Sequence, residues 1–312
     1  MSDYILHLSG EKRGGPAYSG RLASEQRDGP GYRTGAPATR DESVLTCGFK
    51  VEPGGNYGFF TDTTVCIGCK ACEAACKQWN QLPMDRFALT GDSYDNTGEL
   101  EATTWRHVAF VEDFPARGEK RWLFMSDVCK HCENAGCLEA CPTGAIVRTE
   151  FGSVLIQQDV CNGCKYCVPS CPFGVITVAE GKDGTAHKCT LCYDRLKGGL
   201  EPACAKACPT DSILFGPVEE LRALARERVH ELHARGMTEA YLYGVPGGPG
   251  ATGGIGGLNC FFLLVDRPEA YNLPMAPELP SRRAIRGFLT TSVAALGFAG
   301  AIVAAIWSGA RR

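Results

Sequence analysis

The sequence predicts an α+β protein whose short strands and helices surround bound metal, followed by one transmembrane helix. Three observations support this: 18 cysteines in 312 residues, short β-like runs between them, and a C-terminal segment of 24 uncharged residues. A chain of this length does not need disulfides to fold, so the thiols predict metal ligands. The formal net charge of −3 does not indicate the basic surface that binds nucleic acid, and no nucleic acid is expected as a partner.

Sixteen of the cysteines form four motifs that begin with Cys-x2-Cys and end with Cys-x3-Cys. The motifs are Cys66-x2-Cys69-x2-Cys72-x3-Cys76, Cys129-x2-Cys132-x4-Cys137-x3-Cys141, Cys161-x2-Cys164-x2-Cys167-x3-Cys171 and Cys189-x2-Cys192-x11-Cys204-x3-Cys208. Thiolates at this spacing bind neighbouring corners of a [4Fe–4S] cube, and in two-cluster ferredoxins the last cysteine ligates the other cluster. The motifs therefore predict four [4Fe–4S] clusters in two ferredoxin-like dicluster units. Spacing alone leaves open three ways to pair the motifs.

A zinc-binding interaction protein is the alternative from another functional class. Zinc also uses paired Cys-x2-Cys ligands, but it leaves no role for the regular third cysteine. Cys47 and Cys260 stand outside the motifs, and we expect a free thiol and a buried structural thiol, respectively. Metal analysis separates the alternatives, because four cubes require about sixteen iron atoms per chain.

Basic side chains accompany every motif: Lys70, Lys77, Lys130, His131, Lys165, Lys188, Arg195 and Lys206. An oxidised cube with four thiolates carries a charge of about −2, so we expect this set to neutralise charge and tune reduction potentials. Any single one of them is expected to be an ordinary surface residue. His131 lies between Cys129 and Cys132, whose site already has four cysteines, so we expect it to support ligands and not to be one.

The remaining sequence defines the domain organisation. Residues 1–55 are rich in Gly, Pro, Ser and Arg and predict a mobile arm without a secretory signal. Residues 56–215 hold all the motifs, with an insert at 77–128 that we expect to cap the first clusters. Residues 216–283 contain a helix that begins at Pro217 and ends at Gly236, followed by a glycine-rich segment.

The glycine-rich segment contains the pattern G-x-G-x-x-G at Gly248–Gly253. This pattern indicates a dinucleotide site only where a strand turns into a helix. Here it leads into residues 259–265, which read as a strand, so we expect a flexible hairpin connection and no nucleotide site.

The C-terminal segment, residues 284–310, predicts a single membrane span. The uncharged run 287–310 would be about 36 Å long as a helix, enough to cross a bilayer core. The arginines at its two ends are Arg282, Arg283 and Arg286 before it and Arg311 and Arg312 after it. Three arginines before the span and two after it weakly favour a cytoplasmic location for the domain that precedes the span, although this rule fails beside long domains.

Several sequence runs resemble the iron–sulfur beta subunit of membrane-bound formate dehydrogenases. They are Asp62–Cys72, Lys188–Arg195, Gln78–Asn80 and Gly199–Cys204, and the order of helix, glycine-rich segment, strand and terminal span agrees with them. The resemblance covers roughly residues 57–307. It implies an electron-transfer subunit without catalytic residues of its own.

The resemblance also implies a nested ligand arrangement and two protein partners. The implied ligand sets are Cys66, Cys69, Cys72 and Cys208; Cys76, Cys189, Cys192 and Cys204; Cys129, Cys132, Cys137 and Cys171; and Cys141, Cys161, Cys164 and Cys167. The implied partners are a molybdenum- or tungsten-pterin catalytic subunit and a membrane cytochrome b subunit that reduces quinone. Members of this family often lie on the extracytoplasmic side of the cytoplasmic membrane. The same module serves other pterin oxidoreductases and some hydrogenases, but the anchor and the segment Glu201–Cys204 favour formate.

Overall fold

The computed structural model describes residues 50–84, 89, 91, 93–113, 121–179 and 184–310. Most of the predicted arm, with Cys47, lies outside the described residues. The described strands are β1 (Tyr57–Asp62), β2 (Arg106–Asp113), β3 (Arg121–Val128), β4 (Ile146–Arg148), β5 (Val154–Ile156), β6 (Thr177–Val178), β7 (Ala186–His187), β8 (Ile213–Pro217), β9 (Tyr241–Tyr243) and β10 (Cys260–Leu264). The described α-helices are α1 (Ala71–Asn80), α2 (Gly136–Glu139), α3 (Cys167–Ser170), α4 (Tyr193–Lys197), α5 (Ala203–Lys206), α6 (Val218–Ala234) and α7 (Pro280–Gly309).

A four-stranded sheet with the order β8-β1-β10-β9 forms the largest sheet of the described structure. β1 runs parallel to β10 and antiparallel to β8, and every residue of β1 and β10 is buried. Strands buried on both faces contain long apolar runs, as Phe59-Phe60 opposite Cys260-Phe261 illustrates, although β1 ends in the buried polar residues Thr61 and Asp62. Gly58 is required where β1 meets β10, because a Cβ there would lie 1.7 Å from the carbonyl oxygen of Asn259.

The insert at 77–128 supplies the hairpin of β2 and β3, which pair over eight residues each. Val108 and Met125 face the core from this hairpin and are about 1% exposed. Phe110, Trp122 and Phe124 pack against one another on the face that also carries Val108, with ring centroids 5.0–6.1 Å apart, whereas Met125 lies on the opposite face. The hairpin is therefore buried on both faces at Val108 and Met125, and its aromatic cluster continues along the face that carries Val108.

Two small hairpins follow the second and third motifs. β4 pairs with β5 and β6 pairs with β7, both antiparallel. The short β-like runs of the sequence at 145–147, 175–177 and 212–214, each after a Cys-Pro step, correspond to β4, β6 and β8, which begin one or two residues later. The run at 154–156 matches β5.

Helix α6 covers the sheet from one side. Val218, Leu221, Ala225 and Leu232 lie on its buried stripe, and its bounds fall within the predicted range 217–236. The glycine-rich segment joins the antiparallel strands β9 and β10, so it is a hairpin connection as predicted. Among the described residues no helix begins within Gly248–Gly253, so the pattern does not stand at a strand-to-helix turn.

Helix α7 is 30 residues long, about 45 Å at the α-helical rise. Within Pro280–Ser308, an 18-residue window has a mean hydropathy of 2.0, and none of that window is buried against the rest of the chain. The helix is long and apolar enough to cross a membrane. It begins four residues before the predicted span, because Pro280 occupies the first helical turn.

Candidate metal centre

Three cavities of similar size are each lined by four motif thiols. Quartet A consists of Cys66, Cys69, Cys72 and Cys208, and its cavity encloses about 290 Å³. Quartet C consists of Cys129, Cys132, Cys137 and Cys171, with a cavity of about 330 Å³. Quartet D consists of Cys141, Cys161, Cys164 and Cys167, with a cavity of about 310 Å³. In each cavity, three thiols come from one motif and the fourth is the last cysteine of another. The same arrangement of four thiols in each cavity indicates that the three cavities accommodate the same kind of group.

The remaining motif cysteines form quartet B: Cys76, Cys189, Cys192 and Cys204. All four are buried. Burial raises the pKa of the Cys76 thiol, and the nearby Cys189, Cys204 and Cys192 raise it further. The structure thus brings Cys76 beside the fourth motif and away from its own.

Helices α1 and α5 explain this exchange between the first and fourth motifs. Cys72 and Cys76 lie one turn apart on α1, so one helix delivers a thiol to each of two quartets. Cys204 lies on α5, and Cys208 follows that helix and lines the cavity of quartet A. The two helices pack against each other, which places quartets A and B side by side.

The first and third motifs share an unusual backbone conformation. Gly68 and Lys70 have φ values of 66° and 58°, and Gly163 and Lys165 have φ values of 70° and 65°. A left-handed lysine costs of order 1 kcal/mol or more, so the surrounding structure must hold it in place. The repetition of this turn at equivalent positions indicates that it shapes each thiol cavity.

The donor chemistry of the quartets fits an iron–sulfur cluster. Burial raises the pKa of Cys72 to about 11, and that of Cys137 and Cys189 to about 12. Four buried thiols cannot ionise together without a compensating cation, whereas a metal deprotonates a coordinating thiol outright. Within the described ranges, no three His, Cys, Asp or Glu side chains converge closely enough to hold a single metal ion.

Backbone amides also point at cysteine sulfurs. The N–H of Leu191 donates to Sγ of Cys189 over 3.3 Å, and the N–H of Ala186 donates to Sγ of Cys161 over 3.4 Å. Hydrogen bonds of this kind raise the reduction potential of a bound cluster, because they stabilise the added negative charge.

The basic residues beside the motifs range from buried to exposed, with Lys70 and Lys77 half-buried. Lys130, Lys188 and Arg195 are between 1% and 8% exposed, whereas Lys165 and Lys206 lie in solvent. The Lys188 ammonium donates to the carbonyl oxygens of Val154 and Cys189. The buried members can act on a cluster's charge with little screening, and the exposed members cannot.

His131 lies in the wall of the cavity of quartet C. Its Nδ1 accepts a hydrogen bond from the N–H of Val154 over 3.0 Å. Burial lowers the pKa of His131 well below its usual value, and nearby Lys188 lowers it further. The ring is therefore neutral, with its proton on Nε2.

Sequence reasoning missed two polar residues at quartet A, both in the hairpin of the insert. Ser126 lines the cavity, with its Oγ 3.2 Å from Sγ of Cys72. Arg106 lies fully buried behind it and donates to that hydroxyl over 2.9 Å. Neither belongs to a motif, and β2 and β3 contain several other polar residues, so no sequence signal distinguishes these two.

Comparison with known proteins identifies the dicluster architecture. Residues 65–145 and 120–218 each match a family described as a 4Fe-4S dicluster domain. Two such domains and sixteen motif cysteines fit four [4Fe–4S] clusters.

Relatives that match along most of the sequence identify the family. The protein is 37% identical to the formate dehydrogenase iron-sulfur subunit of Haemophilus influenzae, over 88% of its own length and 82% of that relative. It is 40% identical to the formate dehydrogenase-O iron-sulfur subunit of Escherichia coli, over 79% and 80% of the two sequences. A match to a subunit of the anaerobic dimethyl sulfoxide reductase of Escherichia coli, at 37% identity, covers only 53% of the protein. The protein therefore belongs to the family of formate dehydrogenase iron–sulfur subunits, whose members transfer electrons and are not themselves catalytic.

Proposed function

We propose that this chain conducts electrons from a formate-oxidising pterin subunit, through four [4Fe–4S] clusters, to a membrane cytochrome b subunit. The observation that carries the proposal is the set of four thiol quartets, assembled from four motifs inside one fold. Each quartet uses four thiols, which leaves no corner for a substrate, so we infer one-electron transfer as the chemistry of each site.

We assign the cluster ligands as quartets A to D. Supporting this, Cys208 and not Cys76 lines the cavity shared by Cys66, Cys69 and Cys72. The decisive comparison is between Cys208→Ser and Cys76→Ser in the anaerobically purified complex. We expect Cys208→Ser and Cys66→Ser to alter the same electron paramagnetic resonance (EPR) signal, and Cys76→Ser to alter a different one. If Cys76→Ser and Cys66→Ser altered the same signal, the nested assignment would be wrong.

Formate is the proposed electron source for the complex. The matches to formate dehydrogenase subunits cover 79–88% of this protein, against 53% for the dimethyl sulfoxide reductase subunit. Oxidation of formate to carbon dioxide releases two electrons and one proton, and each cluster accepts one electron at a time. Other pterin oxidoreductases would use the same kind of electron-transfer subunit with a different catalytic subunit.

The test is reduction of the oxidised, purified complex by candidate donors. We expect formate to bleach the visible absorbance of the clusters and a quinone analogue to restore it. Dithionite, which reduces clusters without any catalytic subunit, serves as the control for their integrity. Bleaching by dithionite but not by formate would contradict the assignment of the substrate.

We further propose that α7 anchors the chain in the cytoplasmic membrane, with the cluster domain on the extracytoplasmic side. The exposed apolar surface of α7 supports the anchor, and the family resemblance supports the side. Protease added to intact spheroplasts should digest the cluster domain. Complete protection there, with digestion after lysis, would place the domain in the cytoplasm instead.

A further inference from the structure

We propose that Arg106 and Ser126 form a hydrogen-bond relay that raises the reduction potential of the cluster held by quartet A, with the guanidinium also acting on quartet B. The inference rests on the proposed ligand sets. It assigns a tuning function to two residues of the β2–β3 hairpin that lie outside every cysteine motif.

The direction of the relay follows from the donors and acceptors present. A guanidinium can only donate, so the contact of 2.9 Å from Nη1 of Arg106 makes the Ser126 hydroxyl oxygen an acceptor. The hydroxyl proton of Ser126 is then directed to its other neighbour, Sγ of Cys72, at 3.2 Å. A thiolate bound to iron has no proton to donate, which leaves Ser126 as the donor in that contact.

The position of Arg106 is unusual for a charged residue. Its side chain is 1% exposed, and its Cζ lies 4.7 Å from the centre of the Phe59 ring. Among the residues that the structure describes, no hydrogen-bond partner meets its Nε or Nη2. Burying a cation with unsatisfied donors is costly unless negative charge lies nearby.

The negative charge that fits this position belongs to the thiol quartets. Burial lowers the pKa of Arg106, but the thiolates of Cys204, Cys72, Cys189 and Cys76 raise it more, so the net shift is upward. Cys72 is a member of quartet A and the other three are members of quartet B. β2, which carries Arg106, packs against α1, which supplies Cys72 to quartet A and Cys76 to quartet B, so the guanidinium lies beside both quartets.

The effect on electron transfer follows from charge. A [4Fe–4S] cluster with four thiolates changes from about −2 to about −3 when it accepts one electron, and no bond breaks in the relay. A fixed cation and a hydrogen bond to sulfur both stabilise the more negative state, so both raise the potential. Removing the hydroxyl should act on quartet A alone, whereas removing the cation should act on A and B.

The test is an EPR-monitored redox titration of the full complex with dithionite and mediators, which does not require formate. We expect Ser126→Ala to weaken reduction of one cluster about tenfold, a fall of about 59 mV for a one-electron couple. Ser126→Thr, which keeps the hydroxyl and suits a strand, should restore the potential. Arg106→Met should lower the reduction potentials of the clusters at quartets A and B. Arg106→Lys, which keeps the positive charge, should lower both potentials less than Arg106→Met does.

Lys188→Met provides a matched control, because it removes another buried cation, one that lies away from quartet A. In Lys188→Met, the reduction potential that Ser126→Ala lowers should stay unchanged. Unchanged potentials in Ser126→Ala with full iron content would overturn the relay, and a shift of only one potential in Arg106→Met would overturn the action on quartet B. Loss of iron from either variant would assign that residue to the fold instead. Because dithionite supplies the electrons, failure of the formate assignment would leave these outcomes readable.

Discussion

The contact between Asp62 and Arg228 connects the central sheet to the first cysteine motif. Nε of Arg228, on α6, donates to Oδ2 of Asp62 over 3.0 Å, and the two side chains are 5% and 1% exposed. Oδ1 of Asp62 accepts from the N–H and the hydroxyl of Thr64, two residues before Cys66. One carboxylate therefore fixes α6 and the turn that leads into quartet A.

Replacing Asp62 with alanine should destabilise the chain substantially. Removing one partner of a buried ion pair costs about 3–5 kcal/mol, because the other charge stays buried without compensation. Glu231 also accepts from Arg228 over 3.2 Å and is partly exposed, so we take the lower end, about 3 kcal/mol. Asp62→Asn should cost less, because its amide oxygen still accepts hydrogen bonds.

Heat-induced bleaching of the clusters, at a fixed scan rate, measures this effect in the anaerobic complex. For a chain of this size, about 2 °C per kcal/mol predicts a midpoint about 6 °C lower in Asp62→Ala. Glu52→Gln is the matched control, because it breaks the exposed pair of Lys50 and Glu52, and its midpoint should move by less than about 1 °C. The reasoning fails if Asp62→Ala retains its clusters and unfolds within about 1 °C of the parent.

Three further predictions concern the anchor, the ligands and the metal. Deleting residues 287–312 should release the chain from membranes with its clusters intact; retention on membranes without other subunits would contradict this. Cys72→Ser should lower the iron content or alter one EPR signal, because oxygen is a harder ligand than sulfur; normal iron and normal formate-to-quinone electron flow would count against it. Anaerobic removal of iron by a chelator should abolish protease resistance, because cluster binding supplies folding free energy; an equally resistant iron-free chain would refute this.

Local chemistry explains why so much of the site could be predicted from sequence. The spacing of the first three cysteines of a motif, such as Cys161 to Cys167, is set by the corners of one cube, and the chain must turn at each step. The short strands that follow the Cys-Pro steps are equally local, as β4 illustrates. The four motifs and the short strands beside them could therefore be predicted without knowledge of the tertiary fold, but the choice of which motifs share a cluster could not.

Long-range packing explains what the sequence could not provide. β1 pairs in parallel with β10, about 200 residues away in the sequence. The need for glycine at position 58 is visible only in the folded sheet, where the Asn259 carbonyl lies against it. The spacing of the motifs was compatible with three pairings, because the choice depends on how α1 packs against α5. Arg106 and Ser126 escaped notice for the same reason, since only the folded hairpin brings them to Cys72.

The junction between quartets B and C shows how the fold treats charge between the two dicluster units. Cys260 lies there, 1% exposed, and its N–H donates to the carbonyl oxygen of Lys130 over 3.0 Å. Burial raises the pKa of Cys260 well above its usual value, and nearby Cys189 and Cys129 raise it further, so this thiol stays neutral. Lys188, buried beside the same two cysteines, remains charged. If the quartets hold clusters as proposed, the only charge that these two side chains add to the junction is positive. An electron on either cluster is therefore stabilised at the point where it must cross from one dicluster unit to the other.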